Sequence, residues 1–169
     1  MSQGARTARE GIVVGLIAYV SVAALYAVFD QLAARGSLYT LDLLGKALFR
    51  GLRDPAVLEL PQASDRTAMA LYNGLHLVTS LAIGLIVTWL ATQAERRPER
   101  ASLVGIVIAA GFVVTVLAVG MLTAPIRPLL PWWSIVVANG LAVVFAGWYL
   151  VRRHPDLPHR LLPFGGRPA

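Results

Sequence analysis

The chain has 169 residues, of which 57% are hydrophobic and 14% charged, and a mean hydropathy of +0.66, outside the range of soluble domains. Its net charge of +6 does not indicate nucleic acid, because the basic residues sit in short clusters beside apolar runs and form no separable face. The absence of Cys removes disulfides, thiolate catalysis and Cys-ligated metals.

Arg6 and Arg9 precede an apolar run from Gly11 that continues to Asp30. A signal h-region has about 7 to 15 apolar residues, so this run reads as a first membrane span over 11–33. Asp30 closes it at a helix end, where a carboxylate reaches water or a partner at less cost than at mid-membrane.

The connection over 34–65 is too long for a bare turn. Thr40 is the expected N-cap of a helix over 41–53, with Leu41, Leu44, Leu48 and Leu52 on one face and Asp42, Lys46, Arg50 and Arg53 on the other. Such an amphipathic helix lies at the headgroup boundary or packs on the rim of a bundle, with Lys46, Arg50 and Arg53 offering interface contacts. Asp54-Pro55 is expected to end it, and Ser64 or Asp65 to cap the helix that follows.

From Thr67 to Ala94 there is no charged residue, enough helix at about 1.5 Å per residue to cross a bilayer core of roughly 30 Å. This is the second span, over 66–93. Asn73, His76, Ser80, Gly84 and Thr88 recur in it at intervals of three or four, so they form one stripe that should face protein. Arg96, Arg97 and Arg100 then surround Pro98 in a turn over 94–100.

A third span over 101–123 is the least polar, with small residues Gly105, Ala109, Gly111 and Thr115 that favour close helix approach. A turn over 124–130 carries the solitary Arg127. A fourth span over 131–151 starts at Trp132 and Trp133 and finishes with Trp148 and Tyr149, an aromatic belt at each interface. The Pro- and Gly-rich tail over 152–169 is expected to be disordered.

The expected fold is thus all-α: an antiparallel bundle of four transmembrane helices with an interfacial amphipathic helix between the first two. The basic residues favour cytoplasmic termini, with two, three and four at the N-terminus, second connection and tail against five and one in the other connections. Fourteen Arg against a lone Lys46, with abundant Ala, Gly, Val and Pro, suggest a GC-rich bacterial genome and the inner membrane.

Counting from the helix ends puts His76 and Asn139 at matching depth, Asn73 about one turn further out and Asp30 close to the surface. With Ser80 and Arg127 they are candidates for a polar cluster. An intramembrane His either glues helices by hydrogen bonding to Asn139, Tyr26 or a backbone carbonyl, or serves proton transfer or a small polar ligand. Ligation of a haem between two protomers through His76 is a further alternative. One intramembrane His without thiols does not make a metal set, and His154 and His159 lie at the opposite end.

Phe29-Asp30, the run Thr40 through Leu43-Leu44-Gly45, Tyr72 with His76, Trp132-Trp133, Asn139 and Arg153-His154-Pro155 together resemble a loose group of uncharacterised bacterial four-span membrane proteins. The resemblance implies the topology and adds no mechanism. No P-loop, nucleophile elbow, zincin motif or paired carboxylates occur. The expectation is therefore a non-catalytic accessory or structural subunit without a cofactor. Its partners would be the lipid bilayer and other membrane subunits or further copies of itself. A small transporter or sensor with an outward polar pocket around His76 is the alternative.

Overall fold

The computed structural model describes residues 2–60 and 62–157. Helices α1 (Gln3–Leu32), α2 (Tyr39–Phe49), α3 (Pro55–Leu58), α4 (Arg66–Arg96), α5 (Ala101–Leu122) and α6 (Trp132–Arg153) follow one another, with no strand among the described residues. By length and composition α1, α4, α5 with the short turn before it, and α6 can each cross a membrane, a multi-pass architecture. Of the tail expected to be disordered, residues 152–157 are described, with Arg152 and Arg153 in the last turn of α6; the remainder, including His159, lies outside the described residues.

The closest approach in the bundle joins α1 to α4. A Cβ on Gly15 would lie 2.7 Å from Leu81 Cα and from the Ser80 carbonyl, one on Gly11 would lie 2.8 Å from Leu85 Cα, and one on Gly84 would meet the Gly11 carbonyl and the Gly15 backbone. Backbone therefore rests on backbone. Lipid is as apolar as Leu, so helices in a bilayer associate through such close packing and not through water exclusion. Further along, Tyr19 of α1 meets Asn73 of α4, so residue numbers rise on one helix as they fall on the other. The stripe of Asn73, His76, Ser80, Gly84 and Thr88 is the face of α4 turned toward α1.

Buried side chains gather at the two ends of the bundle. At one end Leu43, Leu44 and Ala47 of α2 and Leu58 of α3 pack with Ile126, Leu129 and Leu130 of the α5–α6 turn and with Ile135 of α6. At the other end Ala91 and Ala94 of α4 pack with Ala101 and Val104 of α5 and with Leu157. Between these clusters the bundle presents exposed apolar side chains, such as Val78, Ile86, Val114 and Leu117, as surfaces in contact with acyl chains do.

The connection between α1 and α4 differs from its sequence reading in four ways. The N-cap of α2 is Leu38, and Thr40 lies inside the helix. The helix ends at Phe49 and not at Arg53, because Gly51 adopts φ +67° and the Leu52 N–H turns back to the Lys46 carbonyl, a left-handed helix stop that glycine permits. Its buried face is Thr40, Leu43, Leu44 and Ala47, while Leu48 and Leu52 are exposed. The rotation follows from Gly45, where a Cβ would lie 2.7 Å from the Ala68 carbonyl group, so this side must face the start of α4. Asp54-Pro55 opens α3 instead of only ending α2: the Asp54 carboxylate accepts from the Ala56 N–H, with Pro55 as first helical residue.

Gly84→Ala is expected to force α1 and α4 apart and to cost about 1–3 kcal/mol, whereas Gly111→Ala, with no atom within 4 Å of the new methyl, leaves stability unchanged. Thermal unfolding of the two variants in detergent tests the contrast.

Candidate functional site

Asp30 is 1% exposed at the end of α1. Ala34 takes φ 56° and the Arg35 N–H returns to the Asp30 carbonyl, a reversal that brings the chain back to Asp30 ten residues later. There the carboxylate accepts the Thr40 backbone N–H at 2.6 Å and the Thr40 hydroxyl at 2.7 Å. Asp30 thus supplies from another helix the cap that Leu38 cannot, and its charge sits on the positive end of α2.

The polar side of α2 is fastened to α4. Lys46, expected among the interface contacts, is only 6% exposed. Its ammonium donates to Asp42 Oδ2 at 2.7 Å and to the Ala63 carbonyl at 2.9 Å. Asp42 Oδ1 accepts the Asp65 N–H at 2.9 Å, and Asp65 caps α4 by accepting from the Ala68 N–H. Arg50 completes the set with Nε 2.7 Å from Asp65 Oδ2 and Nη2 3.3 Å from Oδ1. That hydrogen-bonded guanidinium, ahead of the Ala68 N–H, holds the Asp65 carboxyl down to about 2. Arg53 Nε donates to the Ala47 carbonyl at 3.4 Å, satisfying the last turn of α2.

Within the spans, the Tyr19 hydroxyl donates to Asn73 Oδ1 at 2.8 Å. The His76 ring lies beside Tyr19, centroids 5.1 Å apart, and is stacked with Tyr72 at 6.3 Å. Among the described residues no hydrogen bond reaches the His76 ring, and none links it to Asn139. Asn139 Nδ2 instead donates to the Ile135 carbonyl one turn back on its own helix. Ser80 is buried on the α1-facing stripe beside Gly15, one turn beyond His76. Ser134 Oγ donates to the Pro131 carbonyl, so in its 3.3 Å contact with the Tyr26 hydroxyl it is the acceptor.

The six residues expected to converge are therefore divided. Asn73 and His76 meet through Tyr19, while Asp30, Ser80 and Asn139 each serve a different contact. Arg127 is exposed. Arg35 reaches the Leu129 carbonyl at 3.4 Å and lies 5.2 Å above the Tyr39 ring.

A second polar centre occupies the opposite end and was not anticipated. His154, the C-cap of α6, places Nδ1 2.7 Å from Glu95 Oε1 of α4 and Nε2 3.2 Å from Glu10 Oε2 of α1. Glu10 is 8% exposed and also accepts from Arg6 Nε at 3.3 Å. Through its two ring nitrogens His154 bridges the carboxyl groups of Glu95 and Glu10 and ties three helices together. Each of these residues sits at a span boundary, where charge reads as a topology marker. No short-range signal joins positions 10, 95 and 154. Among the described residues no group of three or more His, Asp or Glu side chains has the arrangement of a metal site.

Comparison of the chain with protein-family models, with curated proteins and with solved structures finds no match in any of the three.

Asp30→Ala leaves the buried Thr40 N–H and hydroxyl unpaired and is expected to cost about 2 kcal/mol. Thr88→Val deletes a hydroxyl that is fully buried without a hydrogen-bond partner among the described residues and should be neutral or stabilising by up to about 1 kcal/mol. Denaturant or thermal unfolding in detergent checks both signs. Because the folded protein favours ionised Asp65, this carboxylate stabilises fully above the ordinary carboxylate range, and its contribution disappears as pH falls toward about 2. In unfolding temperatures followed from neutral pH down to about 2, Asp65→Asn should flatten part of the acid-side decline.

Proposed function

We propose that this chain is a non-catalytic integral membrane protein, a small accessory or structural subunit of a membrane assembly in the bacterial cytoplasmic membrane. In this reading the four long helices form an antiparallel bundle, both termini are cytoplasmic, and α2 lies along the external headgroup boundary over the end of the bundle. The observation that carries it is where the polar groups go. Asp30, Asp42, Lys46, Asp65, Tyr19, Asn73, Ser134, Glu10 and His154 spend their hydrogen bonds on other helices or on backbone, which is the use expected of polar residues as glue between membrane helices.

The periphery supports the same reading. α5 has exposed apolar residues around its circumference, among them Leu103, Ile106, Val107, Val113, Val114 and Leu117, and Gly111 and Gly120 have no neighbouring atoms at their Cβ positions. A helix of this kind can lie against a neighbouring subunit as readily as against lipid.

Purification in a mild detergent that preserves membrane complexes is the test. Recovery within a larger assembly, of other subunits or of further copies of this chain, is expected. Recovery only as a lone monomer overturns the reading.

One observation favours a second reading, a small transporter or sensor with a pocket around His76. This imidazole lies among Tyr19 and Tyr72 with no hydrogen bond to it among the described residues, and an intramembrane titratable group left in this way marks a candidate functional position. Under it, His76→Leu abolishes transport or ligand binding at normal folded yield. A folded protein with unchanged function, or one merely destabilised, removes it.

A further inference from the structure

The end of the bundle that gathers Glu10, Glu95 and His154 also holds a cavity of about 580 Å³ between the beginning of α1 and the last turn of α6. On α1, Gln3, Arg6, Glu10 and Val13 line it at helical spacing, a stripe about 15 Å long, with Arg9 beside them. On α6, Tyr149 and Arg153 line it one turn apart.

Its charges are unbalanced. Glu10 is already engaged by Arg6 and His154 through its two oxygens. Arg9 and Arg153 have no side-chain carboxylate within ion-pair reach, and all nine Asp and Glu residues of the chain lie among those described. Arg153 lies over the Tyr149 ring, 5.6 Å from its centroid, a stacked position that leaves the edge of the guanidinium free to donate. Two uncompensated guanidiniums and a third at the rim, around one concavity, repel one another unless an anion lies between them, and their planar forks match phosphate oxygens.

The position of the cavity selects among phosphates. It lies where the uncharged stretch of α1 begins at Gly11 and where α6 ends beside Trp148 and Tyr149, the level of the headgroups. Beyond Val13, exposed Leu16 and Val20 follow at helical spacing on the same side of α1, a path for acyl chains. We propose that this cavity binds the phosphate of an anionic phospholipid headgroup, gripped by Arg9 and Arg153 with Arg6 at the rim. Basic pockets between membrane helices hold anionic lipids through the same chemistry.

The full chain, purified in detergent, is titrated with phosphatidylglycerol, with phosphatidylcholine and with inorganic phosphate, and occupancy is read by native mass spectrometry alongside the unfolding temperature. Phosphatidylglycerol should bind and raise the unfolding temperature. Arg9→Gln and Arg153→Gln should each weaken it by roughly fivefold, and the double variant by roughly 25-fold. Arg97→Gln with Arg100→Gln, an equal loss of charge at the α4–α5 turn, should leave affinity within about twofold, since a headgroup in the cavity does not meet that turn. Arg9→Lys, which keeps the charge and loses the fork, separates recognition from general attraction and should fall between wild type and Arg9→Gln. Equal binding of phosphatidylcholine, or an equal loss in the Arg97 and Arg100 control, overturns the proposal. Displacement of the lipid by millimolar inorganic phosphate overturns the lipid assignment and gives the cavity to a soluble phosphate compound.

Discussion

The contact of α1 with α4 through Gly11, Gly15 and Gly84 sets the geometry of the whole bundle. In water, two apolar helices are pushed together by the solvent. In lipid that push is missing, and association depends on how closely the surfaces fit and on which hydrogen bonds the fit permits. Removing side chains at three positions lets the two backbones touch, and this fixes the register of everything attached to them. Tyr19 then reaches Asn73 and His76 in one direction, while in the other the last turn of α4 arrives beside Glu10, where His154 can bridge to Glu95.

The two ends of the bundle are closed by different means toward the same result. At one end a short helix is laid across the start of α4 and held there by charged groups: Asp30 on the first turn of α2, Lys46 between Asp42 and the Ala63 carbonyl, and Arg50 on Asp65. Of these, the exposed Arg50–Asp65 pair is screened by water and contributes least, whereas Asp30 and Lys46 are buried and their loss leaves groups without partners. At the other end an imidazole between two carboxylates performs the closure without an added helix. The span centres carry few polar contacts, which fits a solvent in which an unpaired polar group is expensive.

This distribution bears on what the molecule can do. A structure whose polar groups are engaged mainly with one another presents its surroundings with apolar flanks and two charged rims. The rim that carries Arg9 and Arg153 leaves charge uncompensated around a concavity. His76 differs from the other polar residues of the spans in being surrounded by rings and not by donors and acceptors. An environment of that kind suits an imidazole that either fills space between aromatic neighbours or waits for a group brought to it.

Much of the architecture was legible in the residues themselves. Long uncharged runs can satisfy their backbone in lipid only as helices, so the four apolar helices follow from composition, as does the protein-facing stripe of α4 from its spacing; the cap of α4 was legible as Ser64 or Asp65, of which the fold uses Asp65. The end of α2 was also written in the chain, in Gly51, but competed with an apolar periodicity that continued to Leu52. What tertiary structure alone decided is the pairing of the polar groups. Asp30 meets Thr40, His154 joins Glu10 to Glu95, and His76 and Asn139 share no hydrogen bond although a count of residues puts them at matching depth. Depth is a coordinate along one axis, which counting residues supplies. Whether two side chains meet depends also on the rotation of each helix about its own axis, and that rotation is set by the places where backbones can approach, at Gly15 and Gly84 and at Gly45 beside Ala68.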